Sequence, residues 1–225
     1  TAVVLLYSQS DRPRPLRLRR RIANDPSRFT SSIASAHRAS RTMPLVMRVL
    51  LLQMDPVWQD PKTNREEIER QISKASPPRG AFILNPEMAE TGFVPEVAAS
   101  DDGQGASFAA AMARKFGVWF QHGCVERASD GFGRNMAIVA NPEGRIVARY
   151  AKIFPFGFGA ETRGFRGGAT IAPFAVGEAR VCPFICYDLR FPEVWRLAAL
   201  AGSEIFSIGA SWPAVRHEAW RALCI

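Results

Sequence analysis

The chain has 225 residues, is 47% apolar and carries a formal net charge of +8, which suits one sizeable globular domain with length to spare. Nine arginines and only two acids fall in residues 1–46, so seven of the eight net positive charges sit there; the remaining residues hold 20 basic and 19 acidic side chains. The domain proper is electrostatically ordinary, and a nucleic-acid-binding or phosphate-binding surface loses its main support.

The first 46 residues are rich in Arg and Ser and lack sustained periodicity. Three readings stay open: translated sequence upstream of a natural start at Met47, a disordered basic extension, or an organelle transit peptide. The opening TAVVLLY is too short for a signal-peptide core and has no basic residue before it. No run of 18 apolar residues exists, so no membrane span is expected. Cys124, Cys182, Cys186 and Cys224 form no C-x-x-C pair, which fits a reduced protein, read as cytoplasmic. With His37, His122 and His217 scattered, no zinc-site spacing exists and no metal is expected.

From Met47 the pattern becomes regular. MRVLLLQMD (47–55) reads as a buried strand, and an amphipathic helix from Thr63 or Asn64 to Ala75 follows. AFILNPE (81–87) reads as a second strand, Ser107 to Gly117 as a helix closed by glycine, and VWFQHGCVE as a third strand. MAIVANPEGRIVARY reads as a hairpin turning at Asn141–Gly144. A long glycine-rich loop (154–168) has the look of a functional loop. After it come a short strand near Gly177–Arg180, the strand ending at Cys186, a helix from Pro192 to Ala201 and a strand EIFSIGAS. The alternation argues a layered α/β or α+β domain.

Three apolar stretches each end on one reactive side chain: FILNPE at Glu87, IVARYAK at Lys152 and VCPFIC at Cys186. If they converge at one sheet edge, they supply a base, a cation and a nucleophile, a set suited to acyl transfer. LNPEMAETGF, YAKIFPF and CYDLRFPE resemble the three signature blocks of the nitrilase (carbon–nitrogen hydrolase) superfamily, and PEMAETGF, CYDLRFPE and SWP its ω-amidase-like branch. The likeness runs from Met47 to about Leu223, including GFGRNMAIV before the lysine.

The resemblance implies an α+β fold, a four-layer αββα sandwich, with residues 47–225 as the hydrolase domain. It implies Glu87 as general base, Lys152 beside the oxyanion and Cys186 as nucleophile. Glu161 would orient Lys152 or the leaving group, and the Tyr187 backbone N–H would share the oxyanion hole. Lys152 should favour the thiolate of Cys186 while Glu87 opposes it. Trp212 and Phe156 are candidates for the pocket wall; Asp188, Arg190 and Glu193 read as ion-paired support for the turn, and His122 and Cys182 as core. The implied partner is a small-molecule amide, with no cofactor and a homodimer if the fold is complete.

Two departures from the family pattern stand out. Asn85 intervenes where relatives carry a plain Leu-Pro-Glu, and the sequence ends before the further helix and strands that complete the sandwich in relatives. The leading expectation is a thiol amidohydrolase acting on the ω-amide of a dicarboxylic acid. The alternatives are a carbamoyl-amide or deaminated-glutathione-type amidase on the same fold, and a truncated non-catalytic remnant.

Overall fold

The computed structural model describes residues 2–6, 47–96, 101–158 and 160–224. Its elements are β1 (Ala2–Leu6), β2 (Val49–Leu51), α1 (Pro61–Ala75), β3 (Phe82–Leu84), α2 (Gly105–Phe116), β4 (Trp119–Arg127), β5 (Gly133–Ala140), β6 (Ile146–Ala151) and α3 (Glu161–Gly164). Then follow β7 (Phe174–Val176), β8 (Ala179–Ile185), a 3-10 turn (Cys186–Arg190), α4 (Pro192–Leu200), β9 (Ile205–Gly209) and α5 (His217–Leu223).

The strands make two sheets, of order β2-β3-β4-β5-β6 and β1-β9-β8-β7. Three apolar clusters show how the layers stack. Ile68 and Ile72 of α1 and Ala109 and Met112 of α2 pack on Ile83, Phe120 and Ile138, covering the outer face of the first sheet. Phe82, Leu84, Val139 and Ala148 meet Phe174, Val176, Val181 and Ile205 between the sheets. Val194 and Ala198 of α4 pack with Phe184, Phe206 and Ile208, covering the second sheet. The result is the expected αββα sandwich.

Local chemistry explains most boundaries. Helix α1 begins at Pro61, earlier than the apolar spacing alone suggests, because Asp60 caps it through the Thr63 N–H (3.1 Å) and proline suits the first helical position. Gly177 is a correction: it lies in the turn between β7 and β8, at φ +60°, rather than opening a strand. Pro183 is tolerated inside β8 because β7 pairs only as far as Val181, leaving no ladder partner on that side for the missing N–H. The hairpin of β5 and β6 closes as expected, Gly144 N–H donating to the Asn141 carbonyl (2.7 Å).

A disordered extension from the first residue does not hold for Ala2–Leu6. That segment pairs antiparallel with β9, Ala2 opposite Gly209 and Leu6 opposite Ile205. Its apolar, β-branched composition suits a strand added to a sheet edge. The basic segment 7–46 lies outside the described residues.

Candidate active site

Glu87, Lys152, Cys186 and Ser211 each follow just behind a strand, β3, β6, β8 and β9 respectively, so one end of the sandwich collects all four. The segment carrying Glu87 lies hard against β4. A Cβ added at Gly123 would stand 2.1 Å from the Pro86 carbonyl oxygen, so only glycine permits that approach. Met88 and Cys186, beside and within the site, both sit in the left-handed region at φ 47° and 45°. Such backbone costs a non-glycine residue roughly 1–3 kcal/mol and persists only where the surroundings enforce it.

At Cys186 the enforcement comes from Asp188. Its buried carboxylate accepts from the Tyr150 hydroxyl (2.7 Å), Phe154 N–H (2.9 Å) and Ile185 N–H (3.1 Å). Burial pushes Asp188 up to about 6, against these hydrogen bonds, which pull it down. The turn is thus supported as expected, but by hydrogen bonds rather than ion pairs. Glu193 stands in the first turn of α4, where a carboxylate favours the helix end. Arg190 departs from the expectation: it lines the pocket, 5.7 Å from the Trp212 ring centre.

Lys152, 1% exposed, donates to Glu87 Oε1 (2.7 Å) and Glu161 Oε2 (2.8 Å). Two of its three N–H bonds are thereby used, and its Nζ lies 5.6 Å from the ring centre of Phe93, a pocket residue. Glu87 Oε2 accepts from the Ser211 N–H (2.8 Å), and the same carboxylate acts electrostatically on the Cys186 thiol. Glu161, fully buried, also accepts from the Phe156 N–H. The structure brings Glu87, Lys152, Glu161 and Cys186 into one cluster.

Burial and neighbouring charges set the three titratable groups apart. Burial by itself would raise Glu87, but the Lys152 charge and the hydrogen bonds outweigh it and hold Glu87 below the ordinary carboxylate range. Burial would lower Lys152, and Glu87, Cys186 and Glu161 raise it instead, so it stays an ammonium. Burial and the Glu87 charge push Cys186 well above the ordinary thiol value, with Lys152 opposing. The pull of Lys152 toward a thiolate is present, but it loses. At rest the proton sits on sulfur and Glu87 is a carboxylate.

A cavity of about 380 Å³ opens over Cys186. Phe93, Phe156, Tyr187 and Trp212 supply its aromatic wall, Arg190 and Arg216 its charge, and among the described residues no carboxylate lines it. Phe156 and Trp212 line this cavity, whereas Phe154 stacks on Phe191 (3.7 Å between centres) as packing. Phe158 is 85% exposed.

Sequence reasoning missed two polar residues. Asn135 of β5 donates to both Glu87 Oε1 (2.8 Å) and Glu161 Oε1 (2.9 Å). Its signal was a lone amide on the strand face it shares with Ala137 and Val139, residues packed between the sheets. Asn85, a departure from the family pattern, binds His122 Nδ1 (2.8 Å) and accepts from Gly123 N–H (2.8 Å). His122 is the satisfied strand histidine expected, its Nε2 donating to Glu90 (2.8 Å). Cys182 is core, as read. Among the described residues no group of three or more His, Cys, Asp or Glu is placed to hold a metal, and no helix is long and apolar enough to cross a membrane.

Comparison with known proteins agrees with this geometry. The carbon–nitrogen hydrolase family model matches residues 48–224. The chain is 30% identical to a 2-oxoglutaramate amidase of Bacillus subtilis (strain 168) over 178 residues, covering 77% of this chain and 68% of the relative. It is 30% identical to the omega-amidase YafV of Escherichia coli (strain K12) over 179 residues, 79% of this chain and 68% of that one. Among solved structures, XC1258 of Xanthomonas campestris, a CN-hydrolase superfamily protein with an arsenic adduct in its active site, superposes with a TM-score of 0.67. The two are 25% identical, with 79% of this chain and 69% of that one covered. The chain belongs to the carbon–nitrogen hydrolase family, enzymes that hydrolyse carbon–nitrogen bonds other than peptide bonds.

Proposed function

We propose that the chain is a thiol amidase that hydrolyses the ω-amide of a small dicarboxylic acid to the dicarboxylate and ammonia. Glu87 takes the proton of Cys186 as the sulfur attacks the amide carbon. The oxyanion receives the third N–H of Lys152 and the backbone N–H of Tyr187. As the intermediate collapses, Glu87 passes the proton to the departing amine and a thioester forms. Glu87 then activates water, the C–S bond breaks, and the carboxylate leaves with the thiol restored. Glu161 holds Lys152 in register through its Oε2 contact.

The observation that supports the substrate class is the pocket wall, where Arg190 and Arg216 line the same cavity as Cys186 with no acid among the described lining residues. A substrate bearing a carboxylate distant from its amide satisfies both charges in a space of about 380 Å³. The likeness to a 2-oxoglutaramate amidase and an omega-amidase supports the same class. The test compares ammonia release from glutaramate and from butyramide, which has the same carbon chain without the carboxylate. We expect kcat/KM for glutaramate to be at least ~100-fold higher, and Arg216→Ala to remove most of that preference through KM. Equal rates on the two amides would overturn the substrate class, and full activity in Cys186→Ala the mechanism.

A further inference from the structure

We propose that Asn135 is a positioning residue that fixes Glu87 and Glu161 around one lysine and keeps Glu87 charged, and so available as the base. This rests on the reading of Glu87 above. The problem it solves is a count of charges. Glu87 and Glu161 are 2% and 0% exposed, and among the described residues Lys152 is the one cation ion-paired to both. Two carboxylates held this close to one ammonium tend to share a proton, because burial and like charge both favour neutralising one of them. A protonated Glu87 cannot accept the proton of Cys186.

Asn135 supplies what the lysine does not. Its two amide N–H bonds reach Glu87 Oε1 and Glu161 Oε1, one each, while Lys152 donates to Glu87 Oε1 and Glu161 Oε2. With the Ser211 N–H on Glu87 and the Phe156 N–H on Glu161, each carboxylate accepts three N–H donors. On Glu87, three donors are enough to keep the buried carboxylate ionised. The orientation of the amide is fixed by the same logic, since a flipped Asn135 would point its oxygen at two anions. Its Oδ1 is buried without a partner, an unusual condition whose cost the two charge-assisted hydrogen bonds offset. The backbone of Asn135 reinforces the arrangement, its carbonyl accepting from the Lys152 N–H (2.8 Å).

The groups facing Glu87 are Lys152 behind β6, Cys186 behind β8, the Ser211 N–H behind β9, Glu161 on α3 and Asn135 on β5, so a change at Asn135 alters one of five neighbours and leaves the pocket wall intact. The test is the pH dependence of kcat/KM for glutaramate in wild type, Asn135→Asp and Asn135→Ala, with thermal unfolding as the control. Wild type should have its acid limb below the ordinary glutamate range. Asn135→Asp, nearly isosteric, should move that limb up by about one pH unit or more and lose at least ~10-fold at pH 6, recovering as pH rises. Asn135→Ala should move it in the same direction by less, and it answers the question if the aspartate variant does not fold. Folded variants with an unshifted limb, or with a loss equal at every pH, would overturn the proposal. Failure of the underlying mechanism reads differently: there Cys186→Ala keeps its activity whatever Asn135 does.

Discussion

Two ionic clusters sit beside the first sheet, and only one of them, among the described residues, adjoins both a thiol and the aromatic cavity. In the first, Glu87, Glu161 and Asn135 surround Lys152. In the second, Arg65 donates to Glu90 (2.7 and 3.0 Å) and to Asp102, and Glu90 accepts from His122, which leads to Asn85. Glu90 is held low just as Glu87 is: burial would raise it, and His122 and Arg65 outweigh burial. A depressed carboxylate therefore does not mark a reactive site. What differs is the company. The first cluster adds a thiol that shares Glu87 and an aromatic cavity above it. The second ends at an exposed groove where Arg65 is already paired with Asp102.

The sharpest way to break this contrast is to disturb each cluster separately. Lys152→Ala should lower kcat by more than ~1000-fold, because it removes an oxyanion donor and leaves two carboxylates facing each other. Steady-state ammonia release on folded protein checks it. Gly123→Ala comes next, since Gly123 joins the clusters: its N–H binds Asn85, and its open face receives Pro86. The added methyl must push the Glu87 segment away. We expect at least ~100-fold loss of kcat/KM and about 1–3 kcal/mol of stability, read by activity and denaturant unfolding.

Glu90→Gln should do the opposite of Lys152→Ala. Weakening the partner of part-buried Arg65 and buried His122 should cost about 3 kcal/mol of stability, while kcat/KM in the folded enzyme stays within about 3-fold. A catalytic collapse with unchanged stability would erase the distinction drawn between the two clusters. The smallest effect belongs to Tyr150→Phe. The Tyr150 hydroxyl lowers Asp188, so its loss should move Asp188 above about 6, visible by NMR titration. The sign for stability follows: Asp188 has a folded-state pKa above its unfolded value, so its contribution is full below about 4 and is lost as pH rises through about 6. In Tyr150→Phe that loss should come at higher pH. Glu87 works the other way, its contribution fading as pH falls below the ordinary glutamate range.

The reactive ends of three strands were legible in the sequence because each interrupts an apolar run with one polar side chain, a one-dimensional signal. Asn135 was not, because its partners lie 48 and 26 residues away and only the sandwich brings them to it. Asn85 was noticed as a departure, yet its reason, a bond to His122 37 residues on, needed the register of β3 beside β4. Arg190 was misread as support for the turn because adjacency to Asp188 suggested an ion pair; the turn instead points the two side chains to different tasks. The Gly177 turn was read as strand because β7 and β8 are joined by only two residues.

The most direct measurement is intact mass of the enzyme quenched in acid during turnover of glutaramate, with peptide mapping. We predict an added acyl group on the peptide containing Cys186, absent from Cys186→Ala, which releases no ammonia. Ammonia release by Cys186→Ala at the wild-type rate, or an acyl group on Cys124, Cys182 or Cys224 in its place, would contradict it.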